Sequence, residues 1–327
     1  MTALAALAAV ACGGCEATPA ESPQASGGST TEGPSTSASG SGGSAGSHSG
    51  VGGAGGLGTG GSMGATTGAT TGTAGGNTGS TGETSGSSSS AQGSTGGAPT
   101  ITVDGCGPVN VDASAIDPAT AGRIVVLGSS TAAGQNASSA DNSWVGRYRS
   151  YLAEAFPNFT IDNLGMGGFN TYRIQPSDYV PPEGRPSPMP GNNITTALER
   201  DPDAIIINLP SNDLYEGFSL EEQMGNYERV VTLAQEQGAL VWIATAQPRD
   251  FAEAAQRQGL MEARDAIRER FAPRAVDFWT DLANSDGTMK SIYNSGDGTH
   301  FNDAGHAVLA QMVITCAIPE VILSSGE

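Results

Sequence analysis

The sequence predicts a three-layer α/β/α sandwich built on a mostly parallel, five-stranded sheet. Two observations lead there. Short apolar runs, rich in Val and Ile and nearly continuous in the best cases, read as strands buried on both faces. These alternate with longer amphipathic stretches, the pattern of strands joined by crossover helices. The strand runs are Ile124–Leu127, Thr160–Leu164, Ala204–Leu209, Leu240–Ala244 and Ala275–Trp279. The helical stretches are Trp144–Phe156, Ser219–Gln237, Ala254–Phe271 and Asp303–Ile318. Ser219-Leu220-Glu221-Glu222 has the form of a capping box, and Met224, Tyr227, Val231 and Ala234 follow at helical spacing. Asp303 is expected as the N-cap of the last helix. In such sheets ligands bind beyond the carboxyl ends of the strands, so the residues that follow each strand are where chemistry is expected.

All of these elements lie beyond residue 100. Residues 1–100 hold no Lys, Arg or aromatic residue, and 26 of the 48 Gly fall between Glu16 and Thr100, mixed with Ser, Thr and Ala. Such a tract buries too little apolar surface to offset its conformational entropy, and it is expected to be a disordered tether over residues 16–100. His48 sits within it and is not expected to do chemistry. The remaining residues, 101–327, suffice for one well-buried core.

The net charge is −19, and only Glu16, Glu21, Glu32 and Glu83 precede residue 101, leaving about −15 on the rest. With Lys290 as the one lysine and no basic cluster, the chain lacks the cations that neutralise phosphates, so nucleic acid is not an expected partner. The same balance argues against docking to anionic lipid through a polybasic patch.

The run Thr2–Ala11 is too short to span a bilayer and ends Ala9-Val10-Ala11-Cys12. Residues 1–15 thus resemble a bacterial lipoprotein signal with Cys12 as the lipidated residue and Cys15 as a second choice. The positively charged n-region of a secretory signal is missing; either the start lies upstream or the run is an apolar tail. Export, as a surface-tethered or secreted protein, is the expectation, with membrane contact only through that anchor. In an exported protein Cys106 and Cys316 could form one disulfide tying the start of the folded region to the last helix. Two buried free thiols are the alternative.

Four blocks carry the candidate chemistry. Gly128-Ser129-Ser130 follows the first strand, Gly165-Met166-Gly167-Gly168 the second, and Pro210-Ser211-Asn212-Asp213 the third. Asp297-Gly298-Thr299-His300 stands before the final helix. Each has an ordinary reading as a turn or helix cap. Together, in this order, they resemble the SGNH (GDSL-type) hydrolases, an esterase and lipase family, over residues 123–318. That family's blocks centre on Ser, Gly, Asn and His, matched here by Ser130, Gly168, Asn212 and His300, with Asp297 matching the Asp three residues before the His. Two departures are Ser129 in place of the family's Asp and Pro210 in place of its Gly. The resemblance implies the flavodoxin-like form of the sandwich, hydrolysis of carboxylic esters without a cofactor, and substrates ranging from acetylated polysaccharides to lipids.

The residue types support that chemistry independently. A Ser hydroxyl needs a base, and with His48 set aside only His300 and His306 remain. His300 lies in a Gly-rich loop, with Asp297 near enough in a tight turn to orient its ring; His306, inside the helix, is the alternative base. Ser129 and Ser130 compete as nucleophile, and Ser130 stands one residue further into the turn. The backbone N–H groups of Ser130 and Gly168 and the amide of Asn212 are the candidate oxyanion donors. Phe169, Tyr172 and Tyr215 follow these positions and would line a pocket or join the core. The proline-rich stretch around Pro176–Pro190 would either wall the cleft or form a surface excursion. Neither a metal-ligand spacing nor a Gly-rich phosphate loop is evident. The expected activity is a serine esterase on O-acetyl groups of extracellular carbohydrate. A lipid esterase of the same fold and a non-catalytic glycan-binding lipoprotein are the alternatives.

Overall fold

The computed structural model describes residues 116–325 continuously and, before them, residues 100–103, 106–107, 109–112 and 114. Cys12, Cys15, His48 and nearly all of the Gly/Ser/Thr tract lie outside the described residues. Strands β1 (Thr100–Val103) and β2 (Val109–Asp112) form an antiparallel pair of their own. The main sheet consists of β3 (Gly122–Gly128), β4 (Phe159–Asn163), β5 (Ala204–Asn208), β6 (Leu240–Ala244) and β7 (Ala275–Val276). Its order is β4-β3-β5-β6-β7, and every neighbouring pair is parallel. This is the flavodoxin-like order, in which the direction of winding reverses between β3 and β5 and opens a crevice beyond their carboxyl ends.

Among the described residues, eight α-helices complete the layers: α1 (Ser130–Ala133), α2 (Trp144–Ala155), α3 (Ile194–Leu198), α4 (Asn212–Tyr215), α5 (Leu220–Glu236), α6 (Ala254–Phe271), α7 (Asp303–Thr315) and α8 (Ile318–Ser324). Alternate strand residues feed two separate cores, as the two-residue period requires. Ile124, Val126, Ile206 and Trp242 pack with Trp144, Tyr148 and Leu152 of α2, Leu309 and Val313 of α7, and Ile318 and Val321 of α8. On the opposite face Val125, Leu127, Ile205, Ile207 and Ile243 meet Ile194 of α3, Met224, Tyr227 and Val230 of α5, and Ile267 of α6. Each fully buried Ile or Leu contributes about 1.5–3 kcal/mol of transfer free energy. The expected capping box holds α5 at its start: Ser219 accepts from the Glu222 N–H, and Glu222 accepts from the Ser219 N–H.

Three sequence expectations need correction. The fifth strand stops at Val276, because the Asp277 carboxylate accepts hydrogen bonds from the N–H groups of Trp279 and Thr280 and turns the chain. The last helical stretch is two helices: Ala317 takes φ 46°, and Pro319 opens α8 because its ring cannot continue α7. That stretch, Asp303–Ser324, has mean hydropathy 1.9 and is apolar enough to cross a membrane by composition, yet it is broken here and packs Leu309, Val313, Ile318 and Val321 into the core. The cap of α7 is Asn302, whose side chain accepts from the N–H groups of Ala304 and Gly305. Asp303 occupies the first turn and accepts from the backbone and hydroxyl of Ser138 at 2.8 and 2.6 Å.

Cys106 and Cys316 form a disulfide, with Cα atoms 5.0 Å apart and a separation of 210 residues. In the loop-entropy account, closing so long a loop is worth roughly 5 kcal/mol. Reduction, or Cys106→Ala with Cys316→Ala, should therefore lower the melting temperature by about 10 °C or more, read from thermal unfolding with and without reductant.

Candidate active site

The chain leaves β3 and enters α1 within a single residue, which puts Ser130 at the first position of that helix. The turn needs Gly128: a Cβ there would stand 2.4 Å from the Ala132 Cβ and 2.8 Å from the Asn208 carbonyl. Ser129 anchors it by donating its N–H to the Asn208 carbonyl at 3.0 Å, and its own hydroxyl is fully buried without a hydrogen-bond partner among the described residues. As the first residue of a helix, Ser130 has an N–H with no intrahelical acceptor.

His300 reaches this turn from the far end of the chain. Its Nε2 lies 2.9 Å from the Ser130 hydroxyl and its Nδ1 lies 2.6 Å from Asp297 Oδ2. The turn is closed by Asp297 Oδ1, which accepts from the N–H groups of Thr299 and His300, both at 2.8 Å. Partial burial opposes ionisation of Asp297, but the His300 ring and these two N–H donors outweigh it and hold the carboxyl well below its ordinary range. Asn136, in the left-handed region at φ 66°, donates to Asp297 Oδ2 at 3.0 Å and to Ser295 at 2.9 Å. His306 is elsewhere: fully buried, its Nδ1 accepts from the Trp144 N–H and its Nε2 faces the Gln135 carbonyl, both at 3.3 Å. It ties α7 to α2, and burial lowers its pKa.

Gly168 is exposed at φ 79°, a conformation that strains any residue with a Cβ, and a Cβ there would meet open space. The segment after it is fastened to α4 three times. Asn212 donates to the Phe169 carbonyl at 2.7 Å, Asn170 donates to Glu216 at 2.8 Å, and Asp213 accepts from the N–H and hydroxyl of Thr171. Asn226 donates to the Thr171 hydroxyl at 3.0 Å and extends this buried network to α5. The sequence marks Asp213 only as a turn residue; its partner, 42 positions earlier, leaves no local signal.

Burial raises the Asp213 pKa to about 7, against the lowering effect of the Thr171 bonds. The unfolded chain releases this proton near the ordinary value of 3.8 while the folded chain keeps it, so folding binds the extra proton between those values. Stability should fall by roughly 4 kcal/mol at most as pH rises from about 4 to 7 and level off above. Comparing pH-dependent unfolding of the wild type with Asp213→Asn, which removes this slope, checks the assignment.

Of the three aromatic candidates, Phe169 joins a core and Tyr172 is buried with its hydroxyl on Glu222 at 2.9 Å. Tyr215 is 62% exposed and stacks on Phe251, with the Arg249 guanidinium 4.5 Å from its ring centroid. The proline-rich stretch is held on α5 by Arg185, which makes two bonds to Glu222 at 2.6 and 3.0 Å and draws that carboxyl's pKa down to about 2. Among the described residues no group of three or more His, Cys, Asp or Glu side chains is placed to hold a metal ion.

The family model described as the GDSL-like Lipase/Acylhydrolase family matches residues 126–308, which include Ser130, Gly168, Asn212, Asp297 and His300. The chain belongs to that family. This acylhydrolase is accordingly a hydrolase acting on ester bonds. It is similar to the acetyl xylan esterase AlAXEase, at 16% identity over 60% of this chain and 100% of that one, TM-score 0.46. It is also similar to a G-D-S-L lipolytic protein from Veillonella parvula (16% identity, 59% and 96% covered, TM-score 0.45). A third is the psychrotrophic esterase EstA from Pseudoalteromonas sp. (16% identity, 60% and 96% covered, TM-score 0.44). No curated protein matches it in sequence.

Proposed function

We propose that this acylhydrolase is a serine esterase that removes O-acetyl groups from extracellular carbohydrate. The observation that carries the catalytic part is the continuous Ser130–His300–Asp297 relay, with spacings of 2.9 and 2.6 Å. Ser130 Oγ attacks the ester carbonyl while His300 Nε2 takes its proton, and Asp297 fixes the tautomer with Nδ1 protonated. The Ser130 N–H, the Gly168 N–H and the Asn212 amide stabilise the tetrahedral oxyanion. The Gly168 N–H has no acceptor among the described residues, and Asn212 uses one of its two amide hydrogens on Phe169, leaving the other for the oxyanion. The alcohol leaves with the proton from His300, and a water activated by the same ring hydrolyses the acyl-enzyme.

Asn212→Ala should lower kcat by roughly a hundred- to a thousandfold with a smaller change in KM, measured by steady-state kinetics on p-nitrophenyl acetate. The acetyl preference is tested by assaying p-nitrophenyl esters of increasing acyl length beside acetylated xylan and mannan. Acetate release from the glycans with a steep decline beyond short acyl chains is the expected result. A preference for long acyl chains would replace this reading with the lipid esterase. The extracellular setting rests on Cys12 as a lipid anchor; labelling of the expressed full chain with a palmitate analogue, lost in Cys12→Ala, checks it.

A further inference from the structure

Arg249 lies between the two halves of the candidate site. Its Nη1 donates to the Ser211 hydroxyl at 3.3 Å, directly before Asn212. Its neighbour Asp250 donates its N–H to the Gly298 carbonyl at 2.8 Å, inside the turn that joins Asp297 to His300. The guanidinium rests against the rings of Tyr215 and Phe251, at 4.5 and 4.7 Å from their centroids. Those rings are nearly parallel, and Tyr215 is largely exposed.

No carboxylate among the described residues forms an ion pair with Arg249, and the one carboxylate whose charge favours its ionised form, Asp297, is not in contact with it. This stands out in a domain with a large excess of acidic side chains, and the nearby carboxylates are each held by another group. Asp213 faces Thr171, Glu216 takes the Asn170 amide, and Asp297 takes His300 and Asn136. Asp250 accepts from the Met289 N–H and the Asn294 amide, both at 2.8 Å. The guanidinium is half-buried, so leaving it unpaired costs solvation that a bound anion would restore. With its central carbon against two rings and one nitrogen on Ser211, the guanidinium keeps further N–H donors, which suit a planar carboxylate.

We propose that Arg249, backed by Tyr215 and Phe251, binds a carboxylate that the substrate carries beside its scissile ester, as in an O-acetylated acidic sugar. This inference rests on the esterase reading and narrows its substrate class. The flat exposed ring of Tyr215 suits a sugar face, and the cation next to it selects the acidic residue. The domain's net charge of about −15 repels a dense polyanion, so the fit is to a largely neutral glycan with scattered carboxylates.

The test compares esters that differ only in that charge: 3- and 4-acetoxybenzoate against their methyl esters, and an O-acetylated methyl galacturonoside, carrying a single carboxylate, against its methyl ester. For each pair the ratio of kcat/KM, charged over neutral, is measured in the full-length wild type, Arg249→Gln and Arg249→Lys. Arg249→Gln should reduce the ratio roughly ten- to a hundredfold, chiefly through KM, and Arg249→Lys should restore part of it. A loss shared equally by both members of each pair, or no loss in either, overturns the proposal and leaves the esterase reading standing. Absence of Ser130-dependent turnover on every ester would instead sink that reading. Titration of 4-hydroxybenzoate and its methyl ester into Ser130→Ala then decides this one separately: equal binding of the two overturns it, and acid-selective binding lost in the added Arg249→Gln supports it.

Discussion

Ser130→Ala is expected to lower kcat on p-nitrophenyl acetate by roughly a thousandfold to a millionfold, with the melting temperature within about 3 °C of the wild type. Among the described residues the Ser130 hydroxyl bonds only to His300, so its removal leaves the turn and both cores intact. A modest residual rate, of the kind that binding and oxyanion donors alone provide, is expected to persist. Ser129→Ala is the necessary contrast. Its hydroxyl is sealed away from solvent and from His300, and the anchoring bond to Asn208 is made by the backbone, which the substitution keeps. Ser129→Ala should therefore retain most of its turnover. Turnover lost in Ser129→Ala and kept in Ser130→Ala would reverse the assignment of the nucleophile.

Asp297→Asn should cost roughly a thousand- to ten-thousandfold in kcat. The new amide can turn its NH2 toward His300 Nδ1, which then accepts instead of donating. The ring's proton moves to Nε2, the atom that must receive the Ser130 proton. Bonds to the Thr299 and His300 N–H groups through Oδ1 survive in the variant, so the loop stays in place and the defect is one of tautomer. Linkage gives an independent check. The folded-state pKa of Asp297 is depressed, so its contribution to stability is present above its ordinary value of 3.8 and is lost as pH falls through and below it. The variant should lack that part of the acid-side slope in pH-dependent unfolding. Normal turnover in Asp297→Asn would remove this carboxylate from the mechanism.

The five strands and the four long helical stretches were legible because their signals are local: β-branched runs, a capping box, an apolar stripe at helical spacing. Ser130 could be singled out because it follows a strand end, and Asp297 and His300 because they stand three residues apart before the last helix, in an order that resembles the SGNH hydrolases. What escaped was set by contacts distant in sequence. Asn136 supports Asp297 across 161 positions, and Asp213 finds Thr171 across 42. Arg249 reaches Ser211 from 38 positions away, in a loop whose sequence, Gln247-Pro248-Arg249-Asp250, reads as an ordinary connection. The cap of α7 was misplaced by one residue because Asn302 and Asp303 are both good caps; tertiary contact with Ser138 decides between them. The break before α8 depended on weighing Pro319 against an apolar run that otherwise continues.

The Cys106–Cys316 bond also sets how force travels through the domain. A pull applied ahead of residue 106 crosses the disulfide into Cys316 and runs back along α7 toward the turn that carries His300. The intervening strands lie inside a covalently closed ring and are spared that load. Tension that enters at Cys106 therefore cannot peel the main sheet from β3 while the bond is intact.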